Sequence, residues 1–259
     1  TWARKHHPEA NGSLSTVLRR PPLVVLAGDV GSGKTELAET IGDAVARQED
    51  IDITLFPLSL SARGQGRVGE MTQLLSAAFD YTLEEASKLK GSNGRARGAV
   101  ILLVDEADAL AQSREAAQMH HEDRAGVNAF IRGVDRLSHG RLPAAVIMCT
   151  NRLNALDPAV RRRAADILAF ERPNDVQRRA VLDAPLSQLG FSPRQLDDMV
   201  AATGARQGRD YGFTFSDLTQ RLLPAIVLDA YPTHAVKPDR ALDLAVQMVP
   251  TAPFRDTSA

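Results

Sequence analysis

The sequence predicts an α/β domain with a parallel sheet, followed by a smaller domain made only of helices. Three observations predict it. Short apolar segments alternate with helical patterns before Pro173, a glycine-rich loop joins the first apolar segment to the first helical pattern, and no strand pattern follows Pro173. Strands that alternate with helices imply right-handed crossovers and parallel pairing. We therefore expect an arm at 1–22, a large α/β domain at 23–172 and a small helical domain at 173–259.

Five segments have the composition of strands. The first and third are continuous apolar runs, as in strands that are buried on both faces. The second contains Pro57, which has no N–H group, and we expect this strand at an edge of the sheet. The predicted strands are 23–28, 53–60, 99–104, 144–149 and 166–170. The predicted helices are 36–48, 70–90, 126–138, 174–189, 193–203, 214–231 and 239–249.

Composition limits the function classes. The 259 residues include 31 basic and 32 acidic ones, and a balanced charge argues against nucleic acid as the main partner. No apolar run approaches the length of a membrane span, and the first ten residues lack the apolar core of a signal peptide. The single cysteine, Cys149, cannot pair within the chain, which fits a reducing compartment. We expect a cytoplasmic protein without a membrane partner.

A phosphate-binding loop is the strongest functional signal. GDVGSGKT lies between the first strand and the first helix and matches the pattern G-x-x-x-x-G-K-[ST]. The glycines allow the backbone N–H groups to point at anionic oxygens, and the helix that follows adds its positive end. A chance match in a chain of this length has a probability of about 1 in 100, and the strand–loop–helix context lowers it further. The loop consists of Gly28, Asp29, Val30, Gly31, Ser32, Gly33, Lys34 and Thr35.

Acidic residues follow the third strand directly. ILLVDEAD places Asp105 and Glu106 at the carboxyl end of a buried strand, the edge at which parallel sheets bind ligands. We expect Thr35 and Asp105 to hold Mg²⁺, and Glu106 to act as the general base for an attacking water. Asp108 is open to a simpler interpretation as the cap of the next helix.

At these residues the chain resembles the AAA+ ATPases: GDVGSGKT is similar to their Walker A motif and ILLVDEAD to their Walker B motif. The resemblance covers about 23–231 and implies ATP and Mg²⁺ as ligands and a helical lid domain. It also implies that the fourth strand lies between the Walker strands and ends in a polar sensor, here Asn151. Contacts to the nucleotide are expected from 28–35, Glu36 and Asp105.

Three consecutive arginines follow a helix start at Asp157-Pro158. Such a run usually marks a solvated face, but here it resembles the second region of homology of AAA+ remodellers. In these proteins an arginine finger reaches the nucleotide bound by the neighbouring subunit, which implies a homohexameric ring. We favour Arg162 and Arg163 over Arg161 for this role.

Residues 121–174 resemble one AAA+ family in particular, the pachytene-checkpoint ATPases that remodel HORMA-domain proteins. Compact bacterial members of this family serve CBASS antiphage systems, where opening a HORMA protein releases a nucleotidyltransferase. The resemblance therefore implies an ATP-driven remodelling ring. Its partners would be a HORMA-domain protein and, in complex with that protein, a nucleotidyltransferase.

The chain departs from the family pattern in its pore loops and its lid. The stretch 60–69, which matches the first pore loop, has no aromatic residue to grip a substrate, and a second pore loop is expected within 112–123. The lid arginine called sensor 2 has no clear match, and Arg221 is expected to be structural. Two alternatives remain: a non-catalytic ATP-binding scaffold, and a nucleic-acid motor that would use Arg63, Arg67, Arg95 and Arg97.

Overall fold

The structure, a computed structural model, describes residues 20–60, 69–91, 96–111, 121–152 and 156–254. The chain forms two compact units. The first consists of Thr1–Ala27 and Lys34–Ala169, and the second of Gly28–Gly33 and Phe170–Ala259. The phosphate loop is thus divided, because its first six residues group with the second unit and its last two with the first.

A five-stranded sheet organises the first part of the chain. Its elements in chain order are β1 (Leu23–Gly28), α1 (Lys34–Glu49), β2 (Asp52–Ser59), α2 (Glu70–Lys88), β3 (Gly98–Asp105), α3 (Asp108–Ala111), α4 (His121–Gly140), β4 (Ala144–Thr150), α5 (Pro158–Arg163) and β5 (Ala164–Phe170). The strand order is β2-β3-β4-β1-β5, and the pairs β1–β4, β2–β3 and β3–β4 are parallel. The predicted parallel α/β fold is confirmed, and so is the edge position of the strand that contains Pro57.

Helices pack on both faces of this sheet. Successive side chains of each strand point to opposite faces, so each face carries apolar residues that a helix can cover. On one face, Gly42 of α1 lies against Ile53 and Ile101. On the other, Leu102 belongs to the main core with Phe79 of α2 and Phe130 of α4, whose rings meet edge to face at 5.8 Å. A Cβ atom at Gly133 would lie 2.3 Å from the Phe79 ring, so this glycine allows the close packing of α2 on α4.

The second unit has its own apolar core and is helical, as predicted. Its helices are α6 (Asp175–Gln188), α7 (Pro193–Thr203), a π-helical segment (Asp217–Leu222), α8 (Leu223–Ala230) and α9 (Pro238–Gln247). The prediction of one continuous helix over 214–231 was wrong, because the wider turns of the π-helical segment precede α8. Pro224 explains the difference, because it has no N–H group for the preceding turn and its ring needs more room than an α-helix gives.

A buried carboxylate organises the end of the second unit. Asp217 is fully buried and accepts hydrogen bonds from the N–H groups of Thr214 and Thr251, both at 3.0 Å, and from Arg221 at 2.6 Å. Burial alone raises the pKa of Asp217, but the hydrogen bonds from Thr214, Thr251 and Arg221 together outweigh it and hold the pKa below its usual value. Arg221 also donates to the Val249 carbonyl, so both of these contacts lie within the second unit, as a structural role would require.

Candidate active site

Three neighbouring strands bring predicted site residues together in the first unit. β3 ends at Asp105, Asn151 directly follows β4, and β4 lies between β1 and β3 in the sheet. This order confirms the strand arrangement implied by the resemblance. Because the carboxyl ends of parallel strands meet at one edge, the side chains that follow them lie close together.

The Lys34 ammonium is held at this edge by the predicted sensor. Lys34 begins α1, is only 8% exposed, and donates from Nζ to Asn151 Oδ1 over 3.0 Å. The side-chain amide of Asn151 is in turn oriented by Asp108. One carboxylate oxygen of Asp108 accepts from the backbone N–H of Asn151 at 2.7 Å, and the other accepts from the side-chain Nδ2 of Asn151 at 3.1 Å. Thr150 Oγ1 donates to the same carboxylate at 2.8 Å. Asp108 therefore fixes which side of the Asn151 amide faces Lys34, a larger role than capping a helix.

A hydroxyl and a carboxylate suited to Mg²⁺ also meet here. Thr35 Oγ1 donates to Asp105 Oδ2 at 3.0 Å. Within the described part of the chain, no group of three or more His, Cys, Asp or Glu side chains is arranged to hold a metal. Mg²⁺ at nucleotide sites takes one or two protein ligands and completes its shell with phosphates and water. The pair therefore fits a magnesium ion that arrives with a nucleotide.

Glu106 follows Asp105 in an unusual backbone conformation. Its φ is +53°, a region that residues other than glycine seldom adopt and that recurs at functional sites. The side chain is exposed, and its Oε2 accepts from Ser59 Oγ at 2.9 Å. The turn thus carries the carboxylate out of the sheet into solvent, where a water molecule can reach it.

The only cysteine does not act as a nucleophile at this edge. Cys149 lies buried in β4, next to Thr150. Burial first, and then the charge of Asp105, raise the pKa of Cys149 to about 12, although Lys34 opposes them. The thiol is therefore neutral at physiological pH, and the chemistry of the site depends on oxygen and nitrogen groups.

Within the second unit, the loop segment Gly28–Gly33 is held by several close contacts. A Cβ atom at Gly28 would lie 1.9 Å from the Phe170 carbonyl oxygen, and one at Gly31 would lie 2.7 Å from Thr214 Oγ1. The Gly31 carbonyl accepts from the Ser216 N–H at 3.1 Å. The glycines are therefore needed for packing as well as for the turn. Of the remaining predicted nucleotide contacts, Val30 and Glu36 are exposed and Ser32 is buried.

The two favoured finger arginines differ in their surroundings. Arg163 makes a two-pronged ion pair with Asp135, Nε to Oδ1 at 2.7 Å and the terminal nitrogen to Oδ2 at 2.8 Å, and also donates to the Ala159 carbonyl. The Asp135 hydrogen bonds raise the pKa of Arg163. Arg161 and Arg162 are exposed, and the described residues offer neither of them an ion-pair partner within 4 Å. Arg163 is thus engaged within its own chain.

Several predicted features lie outside the described residues: the first pore loop over 61–68, most of the second over 112–120, and the side chains of 121–123. The same holds for Arg63, Arg67 and Arg95 of the nucleic-acid alternative. Arg97 is described, and its guanidinium donates to the Lys88 carbonyl at 2.9 Å. Among the described helices, none combines the length and the apolar composition needed to cross a membrane.

Sequence reasoning missed partners that lie far away along the chain. Asp108 stands in the acidic motif, but its contacts are to residues 42 and 43 positions later. The serine that binds Glu106 ends the neighbouring strand β2, where register alone places Ser59 beside Asp105. Asp135 lies 28 positions before its partner Arg163. The polar residues at strand ends could have suggested the first two contacts, but no local pattern in the sequence links Asp135 to Arg163.

Substituting Asp108 with alanine is expected to lower the maximal rate of nucleotide hydrolysis while nucleotide affinity changes less. Without the carboxylate, the Asn151 amide can rotate, and a misplacement of about 1 Å can cost about 100-fold in rate. Steady-state phosphate release and equilibrium nucleotide binding check this together. Asp108→Asn keeps one acceptor oxygen, so it should lose less activity than Asp108→Ala. Equal rates for Asp108→Ala and the unsubstituted protein would contradict the role given to Asp108.

Comparison with known proteins found a matching family model, a relative of high sequence identity and similar solved structures. Residues 24–172 match the family model described as ATPase family associated with various cellular activities (AAA). The chain is 69% identical over 255 residues to CD-NTase-associated protein 6 of Escherichia coli strain MS 115-1, covering 98% of this chain and 82% of that protein. It resembles a chain of the solved E. coli MS115-1 HORMA:CdnC:Trip13 complex (TM-score 0.79, 67% identity, 98% and 83% covered) and the structure of Rhizobiales Trip13 (0.73, 60%, 97% and 83%).

Proposed function

Because the chain belongs to the AAA family of ATPases, and within it to the group of CD-NTase-associated protein 6, we propose that it is an ATP-driven ring that remodels a HORMA-domain protein. The observation that carries the proposal is the likeness over 98% of the chain to a protein solved with HORMA and CdnC. By this proposal the chain acts in the cytoplasm, in a CBASS antiphage system. Residues 23–172 form the ATPase domain and 173–259 the lid.

ATP is held by the loop and by the cluster at the sheet edge. Lys34, nearly buried beside Asn151, binds the β- and γ-phosphates, and the loop N–H groups bind the phosphate oxygens. Thr35 and Asp105, already 3.0 Å apart, hold Mg²⁺. When bound, the ion neutralises charge on the phosphates. The donor set of the described residues supports this assignment, since Lys34 supplies a positive charge for the phosphates and Asp105 a negative charge for the metal ion.

Hydrolysis uses groups of this chain and one group of its neighbour. The exposed Glu106 carboxylate accepts the proton of the attacking water, and the Asn151 amide, oriented by Asp108, aligns the water with the γ-phosphate. We assign the arginine finger to Arg162, because Arg163 is paired with Asp135 in its own chain. A finger supplied by a neighbour requires head-to-tail contacts between subunits, and we propose that these contacts close into a homohexameric ring.

The substrate is a HORMA-domain protein, alone or bound to a nucleotidyltransferase of the CdnC kind. In this scheme each round of hydrolysis pulls on the HORMA protein and separates it from the nucleotidyltransferase. The balanced charge of the chain gives no support to the DNA-motor alternative.

The test combines the purified protein with a HORMA–nucleotidyltransferase complex, Mg²⁺ and ATP, and follows the complex by size-exclusion chromatography. We expect the complex to dissociate with ATP and to persist with a nonhydrolysable analogue. Lys34→Ala is the matched control and should leave the complex intact under both conditions. ATP hydrolysis at full rate with the complex still assembled would contradict remodelling but not the ATPase assignment.

A further inference from the structure

A carboxylate occupies the second position of the phosphate loop. Asp29 Oδ2 accepts from Arg172 Nε at 2.6 Å, and its Oδ1 accepts from the N–H groups of Val30 at 2.8 Å and Phe254 at 2.9 Å. All these residues belong to the second unit. The Asp29 side chain is 17% exposed and that of Arg172 13% exposed, so the pair is largely removed from water.

The position of this charge matters because the loop must bind a polyanion. An uncompensated carboxylate among the N–H groups of the loop repels phosphate, and the repulsion is strong where water is scarce. Removing one partner of a largely buried ion pair leaves the other charge without compensation. The charge of Asp29 is therefore compatible with phosphate binding as long as a cation accompanies it.

Arg172 is held so that it can provide this compensation. One terminal nitrogen donates to the Gly212 carbonyl at 2.7 Å, and the guanidinium lies over the Tyr211 ring, 5.0 Å from its centroid. With the bond to Asp29, these contacts fix the guanidinium on three sides. The ring adds a cation–π attraction, which is larger for a desolvated cation.

We propose that Arg172 is a positioning residue for the nucleotide: it neutralises Asp29 and fixes the loop so that the remaining N–H groups of Gly28–Gly33 can donate to the phosphate oxygens. Asp29 is then a structural anchor of the loop and makes no favourable contact with the nucleotide. The inference rests on the proposed ATPase function and specifies how its phosphate loop is prepared. Since the repulsion grows with ligand charge, loss of Arg172 weakens ATP binding more than ADP binding.

The test measures the dissociation constants of a nonhydrolysable ATP analogue and of ADP, each with Mg²⁺, by isothermal titration calorimetry. Arg172→Met removes the cation and retains much of the side-chain volume. We expect it to weaken binding of the ATP analogue about tenfold, and ADP less, because the Asp29 carboxylate loses the guanidinium that donates to its Oδ2. Adding Asp29→Asn to Arg172→Met should restore most of the affinity, since the amide oxygen of the new side chain can still accept from the Val30 and Phe254 N–H groups.

A purely structural role gives a different pattern. In that case the double variant would bind no better than Arg172→Met, and this result would overturn the proposal. Asp29→Asn alone provides a second test that does not depend on Arg172→Met being folded: the remaining cation should tighten binding of the ATP analogue, and a tenfold weakening would overturn the proposal. If the unsubstituted protein binds no nucleotide, the proposed function itself fails; if it binds and Arg172→Met binds equally well, only this inference fails.

Discussion

Replacing Glu106 with glutamine is expected to lower the rate of ATP hydrolysis by about 10²–10⁴-fold, the usual contribution of a positioned general base. The amide has the same shape as the carboxylate but cannot accept a proton from water. The side chain is exposed and lies outside the core, so folding and ATP binding should be retained. Single-turnover and steady-state phosphate release, with nucleotide titration in parallel, measure the two effects separately.

Ser59→Ala is the matched control for this variant. It removes the hydroxyl that donates to Glu106 Oε2 but leaves the carboxylate in place. Its rate should therefore stay much closer to that of the unsubstituted protein than the rate of Glu106→Gln. Turnover of Glu106→Gln at the unsubstituted rate would remove Glu106 from the role of base and leave the third strand without a catalytic carboxylate.

The predictable parts of this fold are those that depend on short sequence patterns. Continuous apolar runs identified the central strands because a strand buried on both faces has few polar residues, as β3 shows. Pro57 identified an edge strand because it cannot donate to a second neighbour. The loop pattern singled out Lys34 and Thr35, which the structure places beside Asn151 and Asp105, and their role in phosphate binding stays a prediction.

The parts that were not predictable depend on contacts between distant residues. The Asp29–Arg172 pair joins positions 143 residues apart, and nothing in the sequence around either residue indicates the other as its partner. The contact between Asp108 and Asn151 was likewise not predictable, because Asp108 can orient Asn151 only when β4 lies next to β3. The wider turn before α8 follows from Pro224, yet the apolar periodicity of 214–231 continues through it. Periodicity shows which face is buried but not how the backbone accommodates a missing N–H group.

Replacing Arg162 with alanine is expected to have an effect of similar or greater size, since an arginine finger contributes about 10³–10⁵ in rate. The side chain is exposed, so no buried contact is lost and assembly should persist. Phosphate release, with light scattering to monitor the oligomer, is the measurement. Arg161→Ala is the matched control on the same helix and should retain most of the activity. Arg163→Ala removes the pair with Asp135 and should instead lower the melting temperature.

Mixing variants tests whether two chains share each reaction centre. Lys34→Ala lacks the phosphate-binding ammonium but keeps its arginine, whereas Arg162→Ala keeps the phosphate site but lacks the finger. Each is expected to be nearly inactive alone. In a mixed ring, an Arg162→Ala subunit placed beside a Lys34→Ala subunit has one complete centre at their interface, so activity should appear and pass through a maximum at intermediate ratios. If no ratio restores hydrolysis while light scattering shows mixed oligomers, the guanidinium acts within its own chain and the ring is not required for chemistry.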